Sequence, residues 1–362
     1  MTQRVYNFNA GPAALPLPVL EQVQRELLDF GGTGMSILEM SHRSPVYDEI
    51  HHQAMADLRT LLDATDEHAI LFMGGGAQTQ FALIPTNLLP AGGHADYLVT
   101  GAWSAAAWRE ATTLGEARTL WSSATTGYDR VPGSEDYIVD PTAAYLHYTS
   151  NNTIMGTQFS DIPEADMVPL VCDMSSDLLS RPIPLSRFGL IYAGAQKNMG
   201  PAGVTVVLIR RDVLERCRPD LPTMWSYVQI AAKHSLQNTP PVFAIYIVGL
   251  VAQHLLAQGG LAAMAAYNAT KAALLYSAID ASGGFYRGHA QPQSRSHMNV
   301  TFHLPTPELD ARFVTHSMAA DLHGLQGHTG LGGIRASLYN AVSLEAVHAL
   351  VAFMHDFQQR YG

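Results

Sequence analysis

The sequence predicts an α/β protein: a large domain on a mostly parallel sheet, followed by a smaller α+β domain. Two observations predict it. From Ala69 onward, short apolar runs of strand length alternate with stretches of helical periodicity, the pattern of a parallel sheet covered by helices on both faces. Past residue 275 the order changes to strand, helix, strand and closing helix. A chain of 362 residues, 47% hydrophobic and 14% charged, can bury such a core without disulfide or metal staples.

Taken in order, residues 1–17 read as an arm broken by Gly11-Pro12 and further prolines. Residues 18–30 read as an amphipathic helix with Val19, Leu20, Val23, Leu27 and Leu28 on one face and Gly31-Gly32 stopping it. A second helix is expected over about 45–63. Strands follow at 69–72, 97–100, 144–149, 168–172, 189–193 and 204–209, with helices from Gly76 and over 103–113. Residues 241–275 read as helical, and Gly283-Gly284 with 291–296 as a loop region. The small domain is expected as strand 298–303, helix 307–322, strand 334–338 and helix 344–360. Ser343 is the expected N-cap of that last helix, with Val347, Leu350, Val351, Met354 and Phe357 facing inward. The division is an arm 1–17, a large domain 18–257 and a small domain 258–362.

Composition excludes several roles. A net charge of −10 argues against nucleic acid and anionic membranes as partners. The longest apolar run, 242–252, is too short to span a bilayer, and the start has no apolar signal region. Cys172 and Cys217 form no disulfide framework or metal spacing, which suits the cytoplasm. Sixteen histidines contain no His-Glu-x-x-His or comparable pattern, so no metal is expected; His51 and His52 are neighbours that cannot share a helical face.

The chemistry concentrates around Lys197, one of three lysines set against eighteen arginines. It lies in a turn rich in small residues between two apolar runs. A lysine there loses water, which disfavours its charge and leaves a nucleophilic amine suited to a Schiff base with a carbonyl cofactor. Asp173 ends the apolar run 168–172, at a strand's carboxyl end, where open α/β sheets place ligands. An ionised Asp there suits the ring nitrogen of pyridoxal phosphate, and is equally placed to cap the following Ser-Ser-Asp turn. After the strand at 69–72, Gly74-Gly75-Gly76 opens a helix whose free N–H groups form a phosphate cup. No Lys-Ser/Thr pair follows, so it is no nucleotide P-loop.

With these residues in place the chain resembles the phosphoserine aminotransferases, fold-type I pyridoxal-phosphate enzymes of the class-V aminotransferase family. The matching pieces run nearly end to end: Phe8-Asn-Ala-Gly-Pro-Ala13, Ser41-His-Arg-Ser44, Phe72-Met-Gly-Gly-Gly76, Gly101-Ala-Trp103, Thr153-Ile-Met-Gly156, Cys172-Asp-Met-Ser-Ser176, Gln196-Lys-Asn-Met-Gly-Pro-Ala-Gly203, Asn238-Thr-Pro-Pro241 and Gly332-Gly-Ile-Arg-Ala-Ser-Leu-Tyr-Asn340.

The resemblance implies a large domain with a sheet of seven-stranded type and pyridoxal 5'-phosphate as cofactor. It implies amino transfer between O-phosphoserine and 2-oxoglutarate in serine biosynthesis, with a role in pyridoxine biosynthesis as a side activity. Lys197 and Asp173 are then catalytic. Gly76, Ala77 and Gln196 hold the phosphate, Trp103 stacks on the ring and Thr153 sets a hydroxyl beside it. Asn238 and Thr239 reach the phosphate of a neighbouring subunit, which makes the protein a homodimer with shared sites. Arg335 binds the α-carboxylate, with Asn9 nearby. His42 and Arg43, with the partner's His328, bind the distal anion of small anionic amino-acid and 2-oxo-acid substrates.

Three positions depart from the family pattern: Thr329 where an arginine is usual, Ala77 where some members have arginine, and Asn152 where an acid is frequent. The first removes a phosphate-binding cation, worth roughly 1.5–3 kcal/mol, or about tenfold to a hundredfold in affinity. It keeps open an aminotransferase for alanine, serine and glyoxylate. A lyase or desulfurase would need a mobile cysteine, which neither Cys172 nor Cys217 offers.

Overall fold

The computed structural model describes residues 4–362. Its central sheet has seven strands in the order His68–Met73, Thr205–Arg210, Leu190–Gly194, Leu170–Asp173, Leu146–Thr149, His94–Val99, Glu116–Ser122. All neighbours run parallel except Thr205–Arg210, which is antiparallel to both strands beside it. The α/β class and the mostly parallel seven-stranded sheet are thus as expected. Inner strands are buried on both faces because helices cover them, and most of their residues are apolar. Ile70, Phe72, Cys172 and Val206 face Pro45–Leu62 and Val242–Ala257, while Leu71, Val99, Tyr192 and Val207 face Gly76–Leu88 and Ala102–Thr112.

Three elements differ from the sequence reading. The edge strand Glu116–Ser122 was not anticipated; its residues alternate only between exposed and half-buried, so it carries no apolar run. The first helix covers Leu17–Glu26 and ends before the glycines, leaving Leu28 84% exposed rather than inward. The stretch 241–275 is two helices, Val242–Ala257 and Gly260–Asp280, bent by 84° at their junction. Gly259 and Gly260 there adopt φ of 92° and 71°, a conformation that stops a right-handed helix and that glycine takes at no steric cost. Among the described residues no single helix is long and apolar enough to cross a membrane.

The carboxyl-terminal part has its own cluster, in which Leu275, Val300, Phe302, Phe313 and Ile334 pack on the closing helix Leu344–Tyr361. Ser343 caps that helix by accepting from Ala346 N, and Val347, Leu350, Met354 and Phe357 are buried, while Val351 is half-buried. A three-stranded antiparallel sheet, Arg287–Gly288, Asn299–His303 and Ile334–Ser337, supports Arg335. Gly260–Asp280 spans both parts: Leu261 and Met264 join the large core, Leu275 and Ile279 the small one.

On this helix Lys271 is fully buried and donates to the carbonyls of Leu338, Tyr339 and Val342 at 2.9, 2.8 and 3.1 Å. Three donors on one ammonium match three carbonyls that no helix or strand satisfies. Lys271→Met removes all three donors at similar volume. It is expected to destabilise the fold by about 3 kcal/mol, read as a lower denaturation midpoint at an unchanged slope.

The arm closes over both parts. Tyr6–Asn7 pairs in parallel with Leu322–His323, Ser337 N donates to Phe8 O, and Ala13 N donates to Gln196 O at 3.0 Å. Gly11 lies against Lys197, where a Cβ would stand 3.1 Å from the lysine Cγ.

Candidate active site at the carboxyl edge of the sheet

Register gathers the site. Thr149 lies beside Asp173 and Asp173 beside Tyr192, while Met73 and Gly194 both lie beside Thr205. The loops and helix starts leaving this edge carry Gly74–Gly76, Trp103, Thr153 and Lys197. Chain direction decides this: parallel strands present their carboxyl ends on one side, so residues distant in sequence converge there.

Lys197 Nζ donates to Thr153 Oγ1 at 2.8 Å and lies 5.8 Å from the centroid of the Trp103 ring. Burial pushes its amine below the ordinary lysine range; Asp173 pulls it back, and the Arg335 guanidinium adds to the lowering. Asp173 is 5% exposed. Burial raises its pKa, opposed by the Lys197 charge and by hydrogen bonds. Ser175 N donates to Asp173 Oδ1 at 2.9 Å, so the turn-capping reading of this residue is correct as far as that oxygen goes.

Two buried donors bordering the amine have no acceptor, Trp103 Nε1 and Arg335 Nε. The helix Gly76–Leu88 starts at Gly75 with no side-chain cap and no acid in its first turn, which leaves its first N–H groups free for an anion. Gln196 is half-buried, with its side chain folded over Gly194.

These features fit pyridoxal phosphate: an amine for the aldehyde, a buried carboxylate for the ring nitrogen, an indole for a ring face, and an uncapped helix start for the phosphate. Residues 5–350 match the family model for class-V aminotransferases. Over 364 residues, and the full length of both proteins, the chain is 53% identical to the phosphoserine aminotransferase of Desulfatibacillum aliphaticivorans.

The chain belongs to the phosphoserine aminotransferase family.

Its structure matches the phosphoserine aminotransferase from Bacillus circulans subsp. alkalophilus with a TM-score of 0.97, at 50% identity over 99% of each chain. The pyridoxal-phosphate-bound phosphoserine aminotransferase of Trichomonas vaginalis matches with a TM-score of 0.93 and 40% identity over 97% of this chain and 100% of that one.

The other residues assigned on the phosphoserine aminotransferase pattern make only local contacts within one chain. His42 is half-buried and Arg43 exposed, with Arg43 Nε at 3.5 Å from His42 Nε2, just before the helix Pro45–Leu62. Asn238 and Thr239 are exposed in the loop before Val242–Ala257, Asn238 Nδ2 reaching Thr239 O at 3.2 Å. Half-buried His328 accepts from Gly330 N at 3.0 Å in a loop closed by Gly327 N on Gly333 O. Asn9 lies exposed in the arm. Among the described residues, no hydrogen bond or ion pair joins any of these to Lys197, Asp173 or Arg335.

Of the three departures, Asn152 is accounted for locally. Its Nδ2 donates to Thr100 Oγ1 at 3.0 Å and Thr157 Oγ1 at 3.1 Å, tying the loop before Trp103 to the turn that holds Thr153.

Sequence reasoning missed two tyrosines. Tyr339 is fully buried and donates to Ala10 O at 2.8 Å, joining the arm to the Arg335 strand. It lies inside the quoted stretch 332–340, where a polar-tipped aromatic straight after a strand was the available signal. Tyr192, beside Asp173 in the register, sits in an apolar run and gives no signal until the strands are paired.

Proposed function

We propose that the chain catalyses reversible amino transfer between O-phospho-L-serine and 2-oxoglutarate, with pyridoxal 5'-phosphate as cofactor, in serine biosynthesis. The observation that carries this is the cluster of Lys197, Thr153, Trp103, Asp173 and Arg335 at the carboxyl edge of the sheet. When bound, pyridoxal phosphate supplies an aldehyde for the substrate amine and a ring that absorbs the electrons left on the α-carbon.

The chain's own residues do the rest. Lys197 Nζ, steadied by Thr153 and with its charge disfavoured by burial, is the base that moves the α-proton. Asp173 would pair its carboxylate with the ring nitrogen. Trp103 would cover a ring face, and Gly76, Ala77 and Gln196 would hold the phosphate. Arg335 is aligned for the α-carboxylate in a bidentate pair, which accounts for its unpartnered buried Nε. The arm closes the site from the far side through Gly11 and Asn9.

The distal-anion clamp of His42, Arg43 and His328, together with Asn238 and Thr239, is completed by a second copy of the chain. What supports this is that no hydrogen bond or ion pair among the described residues joins them to Lys197 within one copy, together with the exposure of Arg43, Asn238 and Thr239. The break at Ala257–Gly260 is taken as the boundary between large and small domains, and the cytoplasm as the compartment, supported by two free buried cysteines.

The test is a single-turnover absorbance experiment on purified protein with O-phosphoserine, alanine and cysteine added separately. Rapid loss of the lysine-bound cofactor band with phosphoserine alone, restored by 2-oxoglutarate, supports the reading; equal conversion by alanine removes the substrate assignment. Thr329 is exposed on the loop carrying His328. Thr329→Arg supplies the family's usual cation and is expected to lower KM for phosphoserine about tenfold, leaving kcat within about twofold. Steady-state kinetics at fixed ionic strength check it.

A further inference from the structure

Behind Asp173, on the sheet face covered by Gly76–Leu88 and Ala102–Thr112, lies a line of buried polar side chains that the mechanism above does not use. His147 is 1% exposed and Tyr192 is fully buried. The register sets Tyr192 beside Asp173 and His147 beside Tyr97. His147 Nε2 lies 2.9 Å from the Tyr192 hydroxyl, and its ring stacks on Tyr97 at 4.9 Å and 28°. The Tyr97 and Tyr145 hydroxyls pair with each other at 2.7 Å. Tyr192 reaches His147 across the strand that carries Asp173, and the nearness of its hydroxyl helps to favour the charged form of that carboxylate.

The proton inventory decides the direction of this chain. Burial pulls the His147 pKa down to about 3, so the ring is neutral and carries one N–H. Nδ1 has no partner at all. A proton there would leave a buried donor unpaired, the costlier kind of orphan. It would also oblige Tyr192 to donate its only proton to Nε2, turning it away from Asp173. With the proton on Nε2, both problems vanish: Nδ1 presents only a lone pair, and the Tyr192 proton is free.

We propose that His147 and Tyr192 are positioning residues for Asp173, with His147 Nε2–H donating to the Tyr192 hydroxyl oxygen so that the Tyr192 proton is directed onto the Asp173 carboxylate. The inference rests on the reading of Asp173 as the ring-nitrogen partner. It adds that the ionised state of Asp173, supported by the Lys197 charge and the Ser175 N–H, is further favoured from inside the sheet by two residues that touch neither substrate nor cofactor. No atom is transferred: the chain holds a charge in place.

The test begins with the imidazole tautomer, read by 15N NMR of histidine-labelled protein, cofactor-free and loaded, with the His147→Gln variant assigning the signal. A neutral ring protonated on Nε2 is expected in both forms; protonation on Nδ1 overturns the proposal. Kinetics follow. Tyr192→Phe keeps the ring and is expected to lower kcat about tenfold with KM within about twofold. His147→Gln retains an amide donor and is expected to stay within about threefold of the parent, whereas His147→Phe falls with Tyr192→Phe. Equal loss in the Gln and Phe variants, or a Tyr192→Phe variant altered only in thermal stability, overturns the positioning role.

In an Asp173→Asn background Tyr192→Phe is expected to cost nothing further, because the carboxylate it serves is gone; an additive loss counts against the proposal. Full activity of Asp173→Asn itself would sink the underlying reading. That failure is separable, since the tautomer is measured without cofactor or turnover.

Discussion

Lys197→Ala is expected to reduce amino transfer by about 10⁴-fold, the upper end of what a positioned proton-transfer group supplies, because one side chain anchors the cofactor and moves the proton. Three readouts separate this from a folding defect. The sheet edge is built from backbone register, so far-ultraviolet circular dichroism and the melting temperature should change little. The cofactor should still bind, through the uncapped start of Gly76–Leu88 and the Trp103 face, but without the absorbance of the lysine-bound form. Small primary amines in the buffer should restore part of the rate by replacing the missing base. A variant with a tenth or more of the parent activity would remove Lys197 from the mechanism.

Asp173→Asn is the second large effect, expected at roughly 10²- to 10³-fold in kcat, comparable with deleting one preorganised charge-stabilising group. The amide keeps the volume, so KM for phosphoserine should move little. The variant also tests the coupling between the two residues. Asp173 raises the Lys197 pKa against the lowering by burial. Removing the carboxylate therefore lets the amine titrate at lower pH. In cofactor-free protein the reactivity of Lys197 toward an amine-directed acylating reagent should rise at a lower pH in Asp173→Asn than in the parent. A shift to higher pH would mean that the two groups do not interact in the sense the geometry requires.

Much of this was legible because it follows simple grammar. An apolar run ending in Asp, a glycine run opening a helix and a lysine between two strand-like runs each announce a strand end. A parallel sheet brings strand ends together whatever their sequence separation. The lysine count was a weaker guide than it looked. Two of the three lysines are set into the interior, and Lys271 is the more deeply buried, yet it serves three backbone carbonyls rather than chemistry. Sequence separates them only through their surroundings, a turn rich in small residues for Lys197 and a long helix for Lys271.

What stayed hidden depends on pairing. Tyr192 and His147 read as strand filler until register sets one beside Asp173 and stacks the other on Tyr97. The edge strand Glu116–Ser122 lacked an apolar run because only part of it is covered. The bend at Gly259–Gly260 could be foreseen from the glycine pair, but a continuous apolar pattern on both sides masked it.

The pairing of Tyr6–Asn7 with Leu322–His323 carries a consequence for biogenesis. A ribosome delivers residue 6 early and its strand partner more than three hundred residues later, so the arm must wait, unpaired, while the central sheet assembles behind it. Sheet, phosphate cup and lysine loop can all form before the arm has its strand partner. The last act of folding is then the seating of the earliest-made segment against Gln196 and Lys197, and a nascent chain gains its enclosed amine only once synthesis is nearly complete. Translation itself acts as the timer on competence.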